Sequence, residues 1–154
     1  MELSCYWAKA SVQWAQTHLV SQQTLSQLPA KALQLVSLFQ RPRVRLMLGL
    51  LCAYHGKEFL EHGVCDVSQN VHRCQARVDG RVGAFASTSR ILVCRTGRVL
   101  LPAELVYLMG FNASVARRVH AMSDRQLAAK MVGNSMHVPT MAILLLGLLS
   151  CLKK

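Results

Sequence analysis

The sequence predicts an α+β chain, mostly helical, with one small β-hairpin. Three observations predict it. The first forty residues contain no glycine and no proline before Pro29, and their apolar residues recur at helical spacing. Two β-prone runs, Ile91–Cys94 and Val99–Leu101, flank Arg95-Thr96-Gly97-Arg98, and Gly97 can take the positive φ of a tight turn. Pro102 and Pro139 stand where helices would start, a position that needs no N–H donor. With 154 residues, 52% hydrophobic and only 16% charged, the chain can bury a core, and disorder throughout is excluded.

In order along the chain, Trp7, Ala10, Trp14 and Leu19 fall near one helical face, and Ala30–Phe39 forms a second helical stretch. Arg41-Pro42-Arg43 breaks the pattern. Val44–Tyr54 is apolar and reads as either a strand or a buried helix. Residues 55–90, rich in His, Gly, Ser, Asn and Arg, read as irregular or short-stranded. After the hairpin, PAELVYLMGF is a short helix stopped at Gly110. Ser123 is the expected N-cap of the next helix, with Gln126 reaching back, and that helix should end near Gly133. The run Val138–Leu152 is about 22 Å long as a helix, short of a hydrocarbon core of about 30 Å. A buried core helix is therefore favoured over a membrane anchor, and Lys153-Lys154 suit a helix C-terminus.

The chain carries 18 Lys+Arg against 7 Asp+Glu, a net charge of +11, mostly arginine. Such a balance favours an anionic partner: nucleic acid, an acidic protein or a membrane surface. The six cysteines form no C-x-x-C pair and match no zinc spacing, so no metal is expected and the thiols read as reduced. No basic start followed by an apolar core marks a secretory signal, so an intracellular location is expected, nuclear in a eukaryote.

The pieces that carry chemistry come late and in order: Arg98, Leu100, Pro102 and Glu104; Leu108-Met109-Gly110-Phe111; Gly133-Asn134-Ser135; Val138-Pro139; then an apolar helix. This order resembles the C-terminal end of the cytosine-C5 DNA methyltransferases, over residues 90–152. Asp66-Val67-Ser68-Gln69-Asn70 through Ser87-Thr88-Ser89-Arg90 more weakly resembles the end of that family's target-recognition region. On this resemblance, residues 1–54 are a helical segment of unknown role, 55–101 the end of a recognition region, and 102–154 the methyltransferase tail. The whole would be an incomplete C-terminal portion of a methyltransferase-type α/β enzyme.

The resemblance implies roles. Gly133, Asn134 and Ser135 would lie beside the pocket for S-adenosylmethionine, glycine allowing close approach and asparagine offering a donor and acceptors. Equally, Gly133 is a helix cap and Asn134 a turn residue. Arg98, Pro102, Glu104 and Gly110 would be structural, and Phe111 a core residue. Arg73, Arg77 and Arg81 could contact DNA phosphates or base edges, in an enzyme that flips its cytosine from the duplex. The last helix would pack on the enzyme's doubly wound sheet.

Much of that family's machinery is missing from this sequence. Pro29, Pro42, Pro102 and Pro139 precede Ala, Arg, Ala and Thr, so there is no Pro-Cys nucleophile. No Phe-x-Gly-x-Gly loop, Glu-Asn-Val segment or Gln-Arg-Arg segment occurs. Methylation of cytosine needs a thiolate, an acid and a held methyl donor. The chain is thus expected to be inactive alone and to need a catalytic half, in the same polypeptide or as a separate chain. The competing readings are a basic module that binds nucleic acid or protein without catalysis, and a small tail-anchored protein.

Overall fold

The computed structural model describes residues 5–74, 76–84, 86–135 and 137–151. The chain divides into two compact units, one made of Met1–Phe85 with Ser89–Val99, the other of Ala86–Thr88 with Leu100–Lys154.

The first unit is built around a buried helix. Helices α1 (Cys5–Thr17), α2 (Gln22–Ser26), α3 (Ala30–Ser37) and α5 (Lys57–His62) pack on α4 (Pro42–His55). Pro42 opens α4 at its first turn, where its missing N–H costs nothing. The run that could be strand or helix is a helix, and Met47 through Cys52 are all buried. An element apolar all round needs neighbours on every side, and the four smaller helices with the sheet provide them. Ala10 and Trp14 face this core as the periodicity predicts. Leu19 does not: α1 ends at Thr17, and Leu19 sits in the following turn at φ 56°, 91% exposed. The Trp7 side chain and Lys153-Lys154 lie outside the described residues. The helical segment 1–54 and much of the loop-rich segment 55–101 share this one core.

The hairpin forms with β2 (Ile91–Val93) and β3 (Arg98–Val99), in register Leu92↔Val99, and Gly97 takes φ 65° in the turn. A third strand, β1 (Val64–Asp66), pairs antiparallel with β2, Cys65 opposite Leu92. Between β1 and β2 the chain runs through turns held by one buried side chain. Asp66 Oδ1 accepts the Ser68 N–H (2.9 Å), the Ser68 hydroxyl (2.6 Å) and the Arg90 N–H (2.9 Å), tying the two ends of the loop together. Asp66→Ala leaves those donors without this acceptor and is expected to cost about 1–3 kcal/mol. Urea unfolding of the variant checks this, and an unchanged midpoint would show that water replaces the carboxylate.

In the second unit, α6 (Pro102–Leu108) packs against α7 (Ala113–His120) and α8 (Arg125–Gly133). Leu105 and Val106 meet a small core completed by Ala116, Val119, Ala128 and Val132. The sequence reading assigned no element to the α7 segment, whose apolar positions are few; Asn112 starts it by accepting the Ser114 and Val115 N–H groups, both at 3.1 Å. The N-cap of α8 is Asp124, not Ser123. The Asp124 carboxylate accepts from Gln126 N and Leu127 N at 2.9 Å, and a negative charge suits a helix N-terminus better than a hydroxyl. With Asp124 as the cap, Gln126 sits one position too early to close a capping box, the third helical position being Leu127.

Helix α9 (Val138–Cys151) corrects a second expectation. It has no buried residue, and Ile143, Leu144, Leu145, Leu146, Leu148 and Leu149 are 52–71% exposed. The core of this unit is closed by α6 to α8 without it. By length and composition the stretch Arg125–Cys151 could cross a membrane. The turn at Asn134 and Ser135 splits that stretch, however, and α9 alone spans about 21 Å. Exposed apolar surface of this size drives association in water. The double change Leu145→Glu and Leu149→Glu is expected to raise the monomeric fraction in sedimentation while leaving the unfolding free energy within about 0.5 kcal/mol of its original value. A large loss of stability would mean that the helix is covered in solution.

Candidate functional site

Of the segments singled out by sequence, those from Leu100 onward belong to the second unit, and Arg98 to the first. Leu101 starts α6 with its N–H held by Glu104 Oε2 at 2.8 Å, so Glu104 closes the helix end. Gly110 stops the helix at φ 82°, a conformation open to glycine. Its bare Cα also makes room for Pro139, whose Cδ would lie 2.6 Å from a Cβ at this position. One residue earlier, the Met109 carbonyl accepts the Val138 N–H at 2.9 Å. The M-G-F turn and the V-P start of α9 are thus seated on each other. Phe111 is partly buried, its N–H bonded to the Val106 carbonyl at 3.2 Å.

Gly133 ends α8 against the backbone of 86–88. A Cβ there would lie 2.2 Å from Ser87 Cα and 2.5 Å from the Ala86 carbonyl carbon. Its close approach is therefore taken up by the chain itself. Asn134 is the C-cap, its N–H bonded to the Lys130 carbonyl, and its side chain is exposed. The Ser135 hydroxyl donates to the Val132 carbonyl at 2.6 Å. Of the three expected cofactor residues, Asn134 alone presents an exposed side chain. A cleft in this unit is lined by Leu101, Pro102, Ala103, Val119, His120, Met122, Arg125 and Ala128, and does not include them.

The three expected DNA-binding arginines belong to the first unit and are exposed. Arg73 lies in the turn after Asn70, its N–H bonded to Asn70 Oδ1 at 3.0 Å. Arg77 bridges to β1 through its backbone, while its guanidinium grips Asp79 through Nε and Nη2. That pairing holds the Asp79 carboxyl far below the usual carboxylate range. The Arg81 N–H also bonds Asp79, at 3.1 Å. The fork of Arg77 is thus already committed to a carboxylate, whereas Arg73 and Arg81 have no such partner among the side-chain contacts described. Arg98 is exposed on β3 opposite Val93.

The sequence marks the thiols as reduced but does not show that four of them lie together. Cys52 on α4, Cys65 on β1, Cys74 in the loop and Cys94 after β2 are all buried in the core of the first unit. Burial pushes Cys52 up to about 12 and Cys74 up to about 11. The hydrogen bond with Cys94, with burial, lifts Cys65 well above the ordinary thiol value. None of these three is a poised thiolate at neutral pH. Their separations in sequence match no ligand spacing, which is why only the fold reveals the grouping. Among the described residues, no group of three His, Cys, Asp or Glu is arranged to hold a metal ion. Comparison with family models, curated proteins and solved structures finds no match to the chain.

Proposed function

We propose that the chain is the C-terminal part of an S-adenosylmethionine-dependent DNA cytosine-C5 methyltransferase, inactive by itself. One observation carries the reading: the M-G-F and V-P segments, far apart in sequence, meet through the Met109–Val138 hydrogen bond and the Gly110–Pro139 contact. Two short motifs that matched by coincidence would have no reason to abut. The exposed apolar α9 adds support, because a helix of this kind needs a large apolar surface to cover it.

In the assembled enzyme the cofactor supplies the methyl group. This chain contributes Asn134, whose amide would hydrogen-bond the cofactor's polar end, on a turn fixed by Gly133 and Ser135. The nucleophile, the acid and the glycine-rich loop come from a catalytic half, in the same polypeptide or another. Arg73 and Arg81 are the side chains that best fit DNA phosphates.

A chimera tests this: the chain replaces the corresponding tail of an active cytosine-C5 methyltransferase, and methyl transfer to DNA is measured. Activity is expected in the chimera and not in the chain alone. Asn134→Ala in the chimera should raise the cofactor KM about tenfold, the value of one lost hydrogen bond to a charged group. A soluble, folded chimera that never binds cofactor would sink the reading. The competing reading, a non-catalytic basic module, rests on the charge of +11 and on the exposed arginines. It requires the chain alone to bind DNA with affinity falling steeply in salt and indifferent to cofactor.

A further inference from the structure

We propose that the cleft between the start of α6, the end of α7 and the start of α8 is a phosphate-binding site that grips the backbone of double-stranded DNA. The inference rests on the second unit alone and stands apart from the methyltransferase reading. His120 ends α7 and Arg125 begins α8, and the turn 121–124 brings both side chains onto one cleft. Beside them the cleft is apolar, with Leu101, Pro102, Val119 and Ala128 in its lining. Arg117 stands three residues before His120, so the two are neighbours on one helix face. Arg118 on α7 and Lys130 on α8 add further exposed cations.

The fold leaves these cations available. Helix α7 buries Ala116 and Val119 and exposes both arginines. Glu104 and Asp124, the carboxylates of this unit, are used at helix starts: Glu104 holds the Leu101 N–H, and Asp124 holds those of Gln126 and Leu127. Asp124 thus occupies the end of α8 itself, and the site consists of side chains rather than of free helix N–H groups. Among the described residues, Arg117, Arg118, Arg125 and Lys130 form no ion pair. A guanidinium presents paired N–H donors to a phosphate, and the His120 ring offers another. Apolar walls strengthen the field of cations beside them, and they suit the carbons of a deoxyribose next to the bound phosphate. A row of cations with no free carboxylate among them fits a polyanion. Duplex DNA carries one charge about every 1.7 Å along its axis, whereas an acidic protein face mixes both signs.

The test adds the full chain, without cofactor, to a fluorescein-labelled DNA duplex of mixed sequence and follows anisotropy over a range of salt. The site variant is Arg117→Gln with Arg125→Gln. Lys9→Gln with Lys31→Gln removes the same charge from exposed positions of the first unit. One charged hydrogen bond is worth about tenfold in affinity, so the site variant should bind at least about tenfold more weakly. Its slope of log affinity against log salt should flatten by about two. The control should lose less than about threefold, its charges being screened from the bound duplex. A second measurement needs no variant: amide chemical shifts on adding duplex should move at 101–103 and 117–125. Inorganic phosphate is the parallel titrant. Equal weakening of site variant and control, no binding of duplex, or shifts that spare 117–125 overturns the proposal. So does a response of these residues to inorganic phosphate but not to duplex, which marks a site for small anions only. The chimera takes no part in this measurement, so the two outcomes are read separately.

Discussion

Gly133→Ala is expected to unfold the helical unit around α6 to α8. The added methyl carbon would stand 2.2 Å from Ser87 Cα and 2.3 Å from Ser87 N. Those are backbone atoms, which cannot rotate away as a side chain tip would, so either α8 or the 86–88 strand of chain must move. Overpacking of this kind typically costs about 1–3 kcal/mol and more where backbone is struck; about 3 kcal/mol or more is expected here. Hydrogen exchange resolved by peptide is the suitable measurement. Protection should fall across Leu105–Val132 and persist in α4. The companion change Asn134→Ala, at an exposed side chain, should alter stability by less than about 0.5 kcal/mol. Together the two variants separate packing from ligand contact. If Gly133→Ala is as harmless as Asn134→Ala, the close packing against 86–88 does not exist in solution.

The first unit is expected to fail at alkaline pH, well before the second. Cys52 is raised from 9.0 to about 12 and Cys74 to about 11, with Cys65 also raised, all chiefly through burial or thiol contact. In the unfolded chain these thiols ionise near their ordinary value, while in the folded chain they keep their protons. The folded state thus binds more protons as pH climbs past 9, and stability falls with rising pH. The contribution is intact below the unfolded value of 9.0 and is lost as pH approaches about 11 to 12. At about 1.4 kcal/mol for each pH unit between the two values, Cys52 alone accounts for about 4 kcal/mol by the upper end. Urea midpoints at about pH 8 and about pH 10.5, read by exchange in α4, should differ by a large margin. Cys52→Ala should flatten the dependence. A midpoint that does not move over this range would mean that the thiols are reached by water.

Several features could be read from local sequence because their causes are local. A turn with Gly97 between two β-prone runs gives a hairpin, since few other residues accept its φ of 65°. Pro102 and Gly110 set helix limits through backbone geometry that needs no distant partner. The choice between strand and helix for Val44–Tyr54 was not local. A run apolar at every position fits either, and five neighbouring elements decide it by surrounding α4. Asp124 displaced Ser123 as a cap because two candidate residues stood side by side and the stronger acceptor won.

What the sequence by itself determined is the alternation of helical and turn segments, the excess of positive charge and the ordered set of short motifs. Each follows from residue type and spacing along the chain. Only the tertiary structure decided that Met109 meets Val138, that Gly133 is filled by the chain's own backbone, that four cysteines from four segments share one core, and that α9 is left exposed. These are contacts between residues tens of positions apart. They depend on which surfaces the packed helices leave free, and pattern along a strand of letters carries no record of that.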